Sequence, residues 1–159
     1  MKQLLTFAMA AALLGGSITL MAHCQVPCGI YHDKTETIRI YEDLGTIEKC
    51  MNEINRISAE KKPDYNQLVR WINTKENHAD KIQKAVWQYF MLQRVAPAAP
   101  DSKEYPAYVR KLTLLHALLV DAMKCKQGTD LSVPRRMKET LKAFEKAYPP
   151  AAVDSGHTH

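Results

Sequence analysis

The stretch Ile40-Tyr41-Glu42-Asp43-Leu44-Gly45-Thr46-Ile47-Glu48-Lys49-Cys50-Met51-Asn52-Glu53-Ile54 sets Ile40, Leu44, Ile47, Met51 and Ile54 at alternating steps of four and three. At 3.6 residues per turn these side chains fall on one stripe, so the stretch reads as a helix with one buried face. Outward, the pattern runs from about Asp33 to Ala59, and Pro63 closes it. Asp64 offers a cap for a second segment reaching about Val95, in which Leu68, Ile72, Ala79, Ile82, Val86 and Tyr89 keep the register. Lys75 is its polar intruder, and the stretch near Asn73 to Asn77 leaves room for a break. Val95 to Asp101, with Pro97 and Pro100 among alanines, reads as a loop. Tyr105 to Lys126 then carries Val109, Leu112, Leu115, Leu119, Ala122 and Met123, a face that Leu114 and Leu118 widen. Gly128 ends that helix, and Pro134 suits the first turn of a fourth, in which Met137, Leu141, Phe144 and Tyr148 share a stripe. Four amphipathic helices with short connections and no strand alternation predict an all-α fold, an antiparallel four-helix bundle over residues 32–148. The tail, residues 149–159, is predicted to be disordered.

The composition agrees. A chain of 159 residues, 46% apolar and 25% charged, with six glycines and eight prolines, fits one folded domain rather than a disordered or collagen-like protein. The net charge of +5 is a mild excess without dense Lys/Arg clusters, so a nucleic-acid partner is not expected, whereas a small anionic reactant suits the balance. Four cysteines without paired CxxC spacing argue against both a disulfide-rich miniprotein and a four-cysteine zinc site.

Residues 1–22 carry one charge, Lys2, then an apolar run through Leu4, Leu5, Phe7, Leu13 and Leu14 that ends in small residues. This reads as a signal peptide removed after Ala22 by signal peptidase, leaving no membrane anchor and an exported protein, periplasmic or extracellular. His23 directly before Cys24 argues against lipidation. Removing 22 of the 159 residues leaves 137, with net charge +4 because Lys2 departs with the leader.

The new terminus is His23-Cys24-Gln25-Val26-Pro27-Cys28-Gly29-Ile30-Tyr31. A free amine, an imidazole and a thiol become adjacent, and a second thiol returns four residues later. Two soft thiolates with an amine and a deprotonated backbone nitrogen make a planar N/S donor set, which selects nickel or copper over zinc. The His23 imidazole can add an axial ligand, provided that the amine is free.

This stretch resembles the metal hook of nickel superoxide dismutase, His-Cys-x-x-Pro-Cys-Gly-x-Tyr at the mature N-terminus of a four-helix subunit. Trp87-Gln88-Tyr89-Phe90 is similar to that family's aromatic segment near the metal. The resemblance implies one nickel ion per subunit in a homohexamer. It implies ligation by His23 through its amine and, when oxidised, its imidazole, by Cys24 through sulfur and backbone nitrogen, and by Cys28 through sulfur. It makes Pro27 the residue that fixes the turn and places Tyr31 over the open face beside Tyr89, so that both tyrosines are candidate catalytic residues. Glu42, Arg70 and His78 are candidates to support the axial imidazole, and Gln25 stands where the family carries an acid.

The activity so implied is conversion of superoxide to dioxygen and hydrogen peroxide by Ni(II)/Ni(III) cycling, with thiolate and amidate donors bringing the higher valence within reach. Reduction to peroxide takes two protons, which a Tyr31 hydroxyl, ordered water or a coordinated thiol can relay. A non-catalytic periplasmic metal-binding or metal-delivery protein would use the same hook, and a secreted helical interaction protein would pair its cysteines as disulfides. Cys50 and Cys125 read equally well as buried thiols or as a mutual disulfide. His78 and His116 are expected to face solvent or a helix contact, and Trp71, Trp87 and Phe90 to serve the core or subunit contacts.

Overall fold

A computed structural model describes residues 33–148. The leader, the hook residues His23, Cys24, Cys28 and Tyr31, and the tail lie outside the described residues. Within them the fold is all-helical: α1 (Asp33–Ser58), α2 (Tyr65–Lys84) running without interruption into a π-helical turn segment (Ala85–Arg94), α3 (Tyr105–Gln127) and α4 (Ser132–Ala147). There is no strand among the described residues, and no described helix is long and apolar enough to cross a membrane.

Local chemistry sets the boundaries. The Asp64 carboxylate accepts the Gln67 amide hydrogen at 3.1 Å, satisfying one of the amides that the first turn of α2 leaves without a helical partner. Pro106 sits in the first turn of α3, where its missing N–H costs no hydrogen bond. At the end of α3 the Gly128 amide still reaches the Lys124 carbonyl, at 3.1 Å, before the chain turns away. Pro134 lies in the first turn of α4 and is buried there.

Side-chain hydrogen bonds and ion pairs tie the helices to one another. Asp33 of α1 meets Arg94 at the end of the π segment, and Asp43 meets His78. Tyr41 donates to Glu145 at 2.9 Å, and Lys138 reaches Glu48 at 2.6 Å. Between α3 and α4, Asp121 holds Arg136. Between them the core is filled by Ile40, Leu44, Ile47 and Met51 of α1, Ala79, Ile82 and Val86 of α2, Leu115 and Leu118 of α3, and Met137, Leu141 and Phe144 of α4. Burial of each large aliphatic side chain stabilises the fold by about 1.5–3 kcal/mol.

One expectation from periodicity needs correction, and the room left for a break is not used. The stretch from Asn73 to Asn77 stays helical, and the helix changes its geometry at Ala85. On α3, Val109 and Met123 are exposed, and the buried face runs through Leu114, Leu115, Leu118, Asp121, Ala122 and Cys125. That helix packs against both the α2 unit and α4, so its buried stripe is centred between two neighbours. The aromatics divide: Phe90 is fully buried, Trp71 is half-buried beneath the Lys49 ammonium, and Trp87 is exposed. Lys75 is buried, with its ammonium donating to the carbonyls of Lys126 at 2.9 Å and Gly128 at 3.0 Å. Cys50 and Cys125 are free, buried thiols, and Cys125 Sγ lies 3.7 Å from Met137 Sδ.

Candidate metal centre and its support

At the end of the bundle where α1 begins, the Asp33 carboxylate gathers three side chains from two other parts of the chain. Its Oδ1 accepts from the Tyr89 hydroxyl at 2.6 Å and from Arg94 Nε at 2.8 Å. Its Oδ2 accepts from the second guanidinium nitrogen of Arg94 at 3.1 Å and from the Tyr148 hydroxyl at 2.9 Å. Asp33 is 7% exposed, so an ionised carboxylate at this depth requires such partners. Burial alone would raise its pKa, but the hydrogen bonds from Arg94, Tyr89 and Tyr148 outweigh that and hold it below the usual carboxylate range. Burial and the adjoining Asp33 charge push the Tyr89 hydroxyl the other way, well above that of an ordinary phenol. Tyr148 shifts upward for the same two reasons.

The aromatic packing fixes these donors. Phe90 meets Tyr89, Phe144 and Tyr148 edge-on at centroid distances of 5.0, 5.1 and 6.1 Å, and Tyr148 stacks on Phe144 at 5.3 Å. The Arg94 guanidinium carbon lies 5.8 Å from the centre of the Tyr89 ring. Tyr89 therefore presents its hydroxyl to Asp33 from a rigid wall.

Beside Tyr89, between α1 and α2, lies a cavity of about 420 Å³. Its wall sets Glu36, Glu42 and Asp43 against Arg39, Lys81 and Lys84, so the signs balance and local charge gives no one-sided pull on an anion. Of the residues considered for supporting the axial imidazole, His78 Nδ1 lies 2.6 Å from Asp43 Oδ1, while Glu42 and Arg70 are exposed on α1 and α2. His116 is exposed on α3. Among the described residues there is no cluster of three or more His, Cys, Asp or Glu side chains arranged to hold a metal ion.

With its terminus at His23 the chain would offer two thiolates, an amine and an amidate within six residues, a donor set that suits a thiophilic, square-planar ion. The sequence model of nickel-containing superoxide dismutase matches residues 18–151, a span that contains both the hook and the whole described bundle. The chain belongs to the nickel-containing superoxide dismutase family. Its activity is the nickel-dependent dismutation of superoxide to dioxygen and hydrogen peroxide. Neither the search of curated proteins nor that of solved structures returned a match.

Sequence reasoning reached Tyr89 but not its partners. Asp33 counted only as a helix start and Tyr148 only as a member of the fourth stripe, and Arg94 carried no signal at all. Their separations of 56, 61 and 115 positions leave no local pattern to read.

Proposed function

We propose that the mature chain, beginning at His23 after removal of residues 1–22, is an exported dismutase. Its subunit is an antiparallel four-helix bundle carrying an N-terminal hook, and six subunits assemble with one nickel ion in each. His23 would bind through its amine and, in the oxidised state, its imidazole, Cys24 through sulfur and backbone nitrogen, and Cys28 through sulfur. The observation that carries this reading is the family match together with the pattern His23-Cys24-x-x-Pro27-Cys28-Gly29-x-Tyr31 inside the matched span.

Nickel bound there supplies the one-electron couple that oxidises one superoxide and reduces the next. The chain's own contribution starts with anionic thiolate and amidate donors, which favour the higher valence. The two protons that peroxide formation takes up would come from the Tyr31 hydroxyl, ordered water or a coordinated thiol. Tyr89 acts at one remove, because its hydroxyl donates to Asp33. The positive balance of the mature chain favours encounter with the superoxide anion, an advantage that salt reduces.

The test combines intact mass of the native protein with an assay of the nickel-loaded mature form. A mass beginning at His23 with one nickel per chain, and catalytic removal of superoxide, are the expected results. Stoichiometric consumption, or full activity with the leader still attached, would overturn the proposal. Cys28→Ser should lose the native nickel geometry and keep its helical circular dichroism, since the described helices lie between residues 33 and 147.

A further inference from the structure

The geometry points to Asp33 as the latch that positions the hook, with the π-helical segment serving to aim two of its donors; this rests on the reading above that residues 23–31 bind nickel. Asp33 is the first described residue of α1. Covalent reach alone keeps Tyr31 within about 7 Å of it and Cys28 within about 18 Å. Whatever fixes the backbone at Asp33 therefore fixes the base from which the hook extends.

The fixation is directional. Arg94 holds both carboxylate oxygens in a fork, while Tyr89 and Tyr148 each hold one of them. A fork defines the plane of the carboxylate as well as its place. The donors come from the π segment and from the residue just after α4, so three parts of the chain are tied at one point.

The π segment explains how Tyr89 and Arg94 converge. Five residues apart on an α-helix, they would point about 140° away from each other. The i→i+5 bonding of a π-helix brings such residues toward one face, and the segment closes on such a bond, from the Val95 amide to the Phe90 carbonyl at 2.9 Å. The Arg94 guanidinium then lies against the Tyr89 ring while both reach Asp33. Ordinary α-geometry through Ala85–Arg94 would lose one of the two contacts.

Asp33 is thus a positioning residue. The test uses Asp33→Asn in the full mature protein, with two readouts. Hydrogen exchange of the nickel-free protein should rise about tenfold or more in peptides covering residues 28–34, with the α2–α4 core unchanged. After loading with nickel and oxidation, the paramagnetic resonance of the metal should broaden or split, and kcat should fall on the order of tenfold or more.

Asp121→Asn is the control for a purely structural effect. It removes another buried carboxylate held by a forked arginine, Arg136, at the opposite end of the bundle. It should lower stability yet leave residues 28–34 and the nickel resonance as in wild type. If Asp33→Asn does not fold, Tyr148→Phe decides by the same readouts. It deletes one hydrogen bond and keeps the ring on Phe144.

Wild-type exchange at residues 28–34, or a wild-type resonance in a folded variant, overturns the latch. Failure of the wild-type protein to dismute superoxide would instead overturn the nickel-hook reading, and the exchange of the nickel-free variant would still decide whether Asp33 holds the segment before it.

Discussion

Replacing Lys75 by methionine keeps the length and apolar body of a side chain that is 3% exposed, and removes its ammonium. The Lys126 and Gly128 carbonyls then lose donors at 2.9 and 3.0 Å. A hydrogen bond from a charged group contributes about 1.5–3 kcal/mol, and relief of the desolvation cost of the ammonium gives back part of the two. A buried ion pair can often be replaced whole by apolar groups at little cost. That escape is closed here, because the acceptors are backbone carbonyls that stay behind. The expected net loss is on the order of 3 kcal/mol. With an unfolding entropy of roughly 2.1 cal/mol/K per residue, the 116 residues from 33 to 148 convert this to a Tm lower by about 12 °C.

The pH dependence carries a second, signed prediction. Burial holds the Lys75 pKa below its ordinary 10.5, so between its folded and unfolded values the unfolded chain binds more protons. Wild-type stability relative to Lys75→Met should therefore grow as pH is raised through that window toward 10.5, and stay level below it. Calorimetry of both proteins from neutral to alkaline pH reads both effects. A Tm within about 2 °C of wild type at neutral pH would refute the reasoning about the stranded carbonyls, and a gap that narrows as pH rises would refute the sign.

Three further outcomes follow from the packing. Phe90→Ala empties the centre of the aromatic cluster and should cost about 3–5 kcal/mol, read as a lower urea midpoint at unchanged slope; a loss under about 1 kcal/mol would contradict the burial of that ring. Burial would raise the Asp121 carboxyl pKa, but hydrogen bonds from Arg136 and Lys124 hold it below 3.8. Its stabilisation is thus present above that value and lost as pH falls through the folded one. Arg136→Met should destabilise by about 1–3 kcal/mol at neutral pH, a figure discounted because Arg136 is half exposed, with the difference from wild type shrinking in acid. In a variant lacking Cys24 and Cys28, an aromatic disulfide reagent at pH 8 should find no reactive thiol until the protein is unfolded and then two, since Cys50 and Cys125 are buried and burial pushes the Cys125 thiol up to about 11; a chain that still yields none when unfolded would carry a disulfide instead.

Sequence alone determined the helices. Apolar spacing is a local property, so the stripes of α1 and α4, the cap at Asp64 and the stop at Gly128 stand where periodicity and capping chemistry put them. The proposed donor set comes from the same kind of local reading, each of its residues lying within a few positions of the next. Tertiary structure decided which face of α3 is buried, because that depends on two neighbours at once, and Val109 and Met123 fall outside the shared seam. It also decided the fate of Lys75, whose acceptors lie 51 and 53 residues away. The cluster on Asp33 belongs to the same class: a carboxylate buried at one helix start became tenable only when a π turn and the end of the last helix brought it donors that no reading along the chain connects.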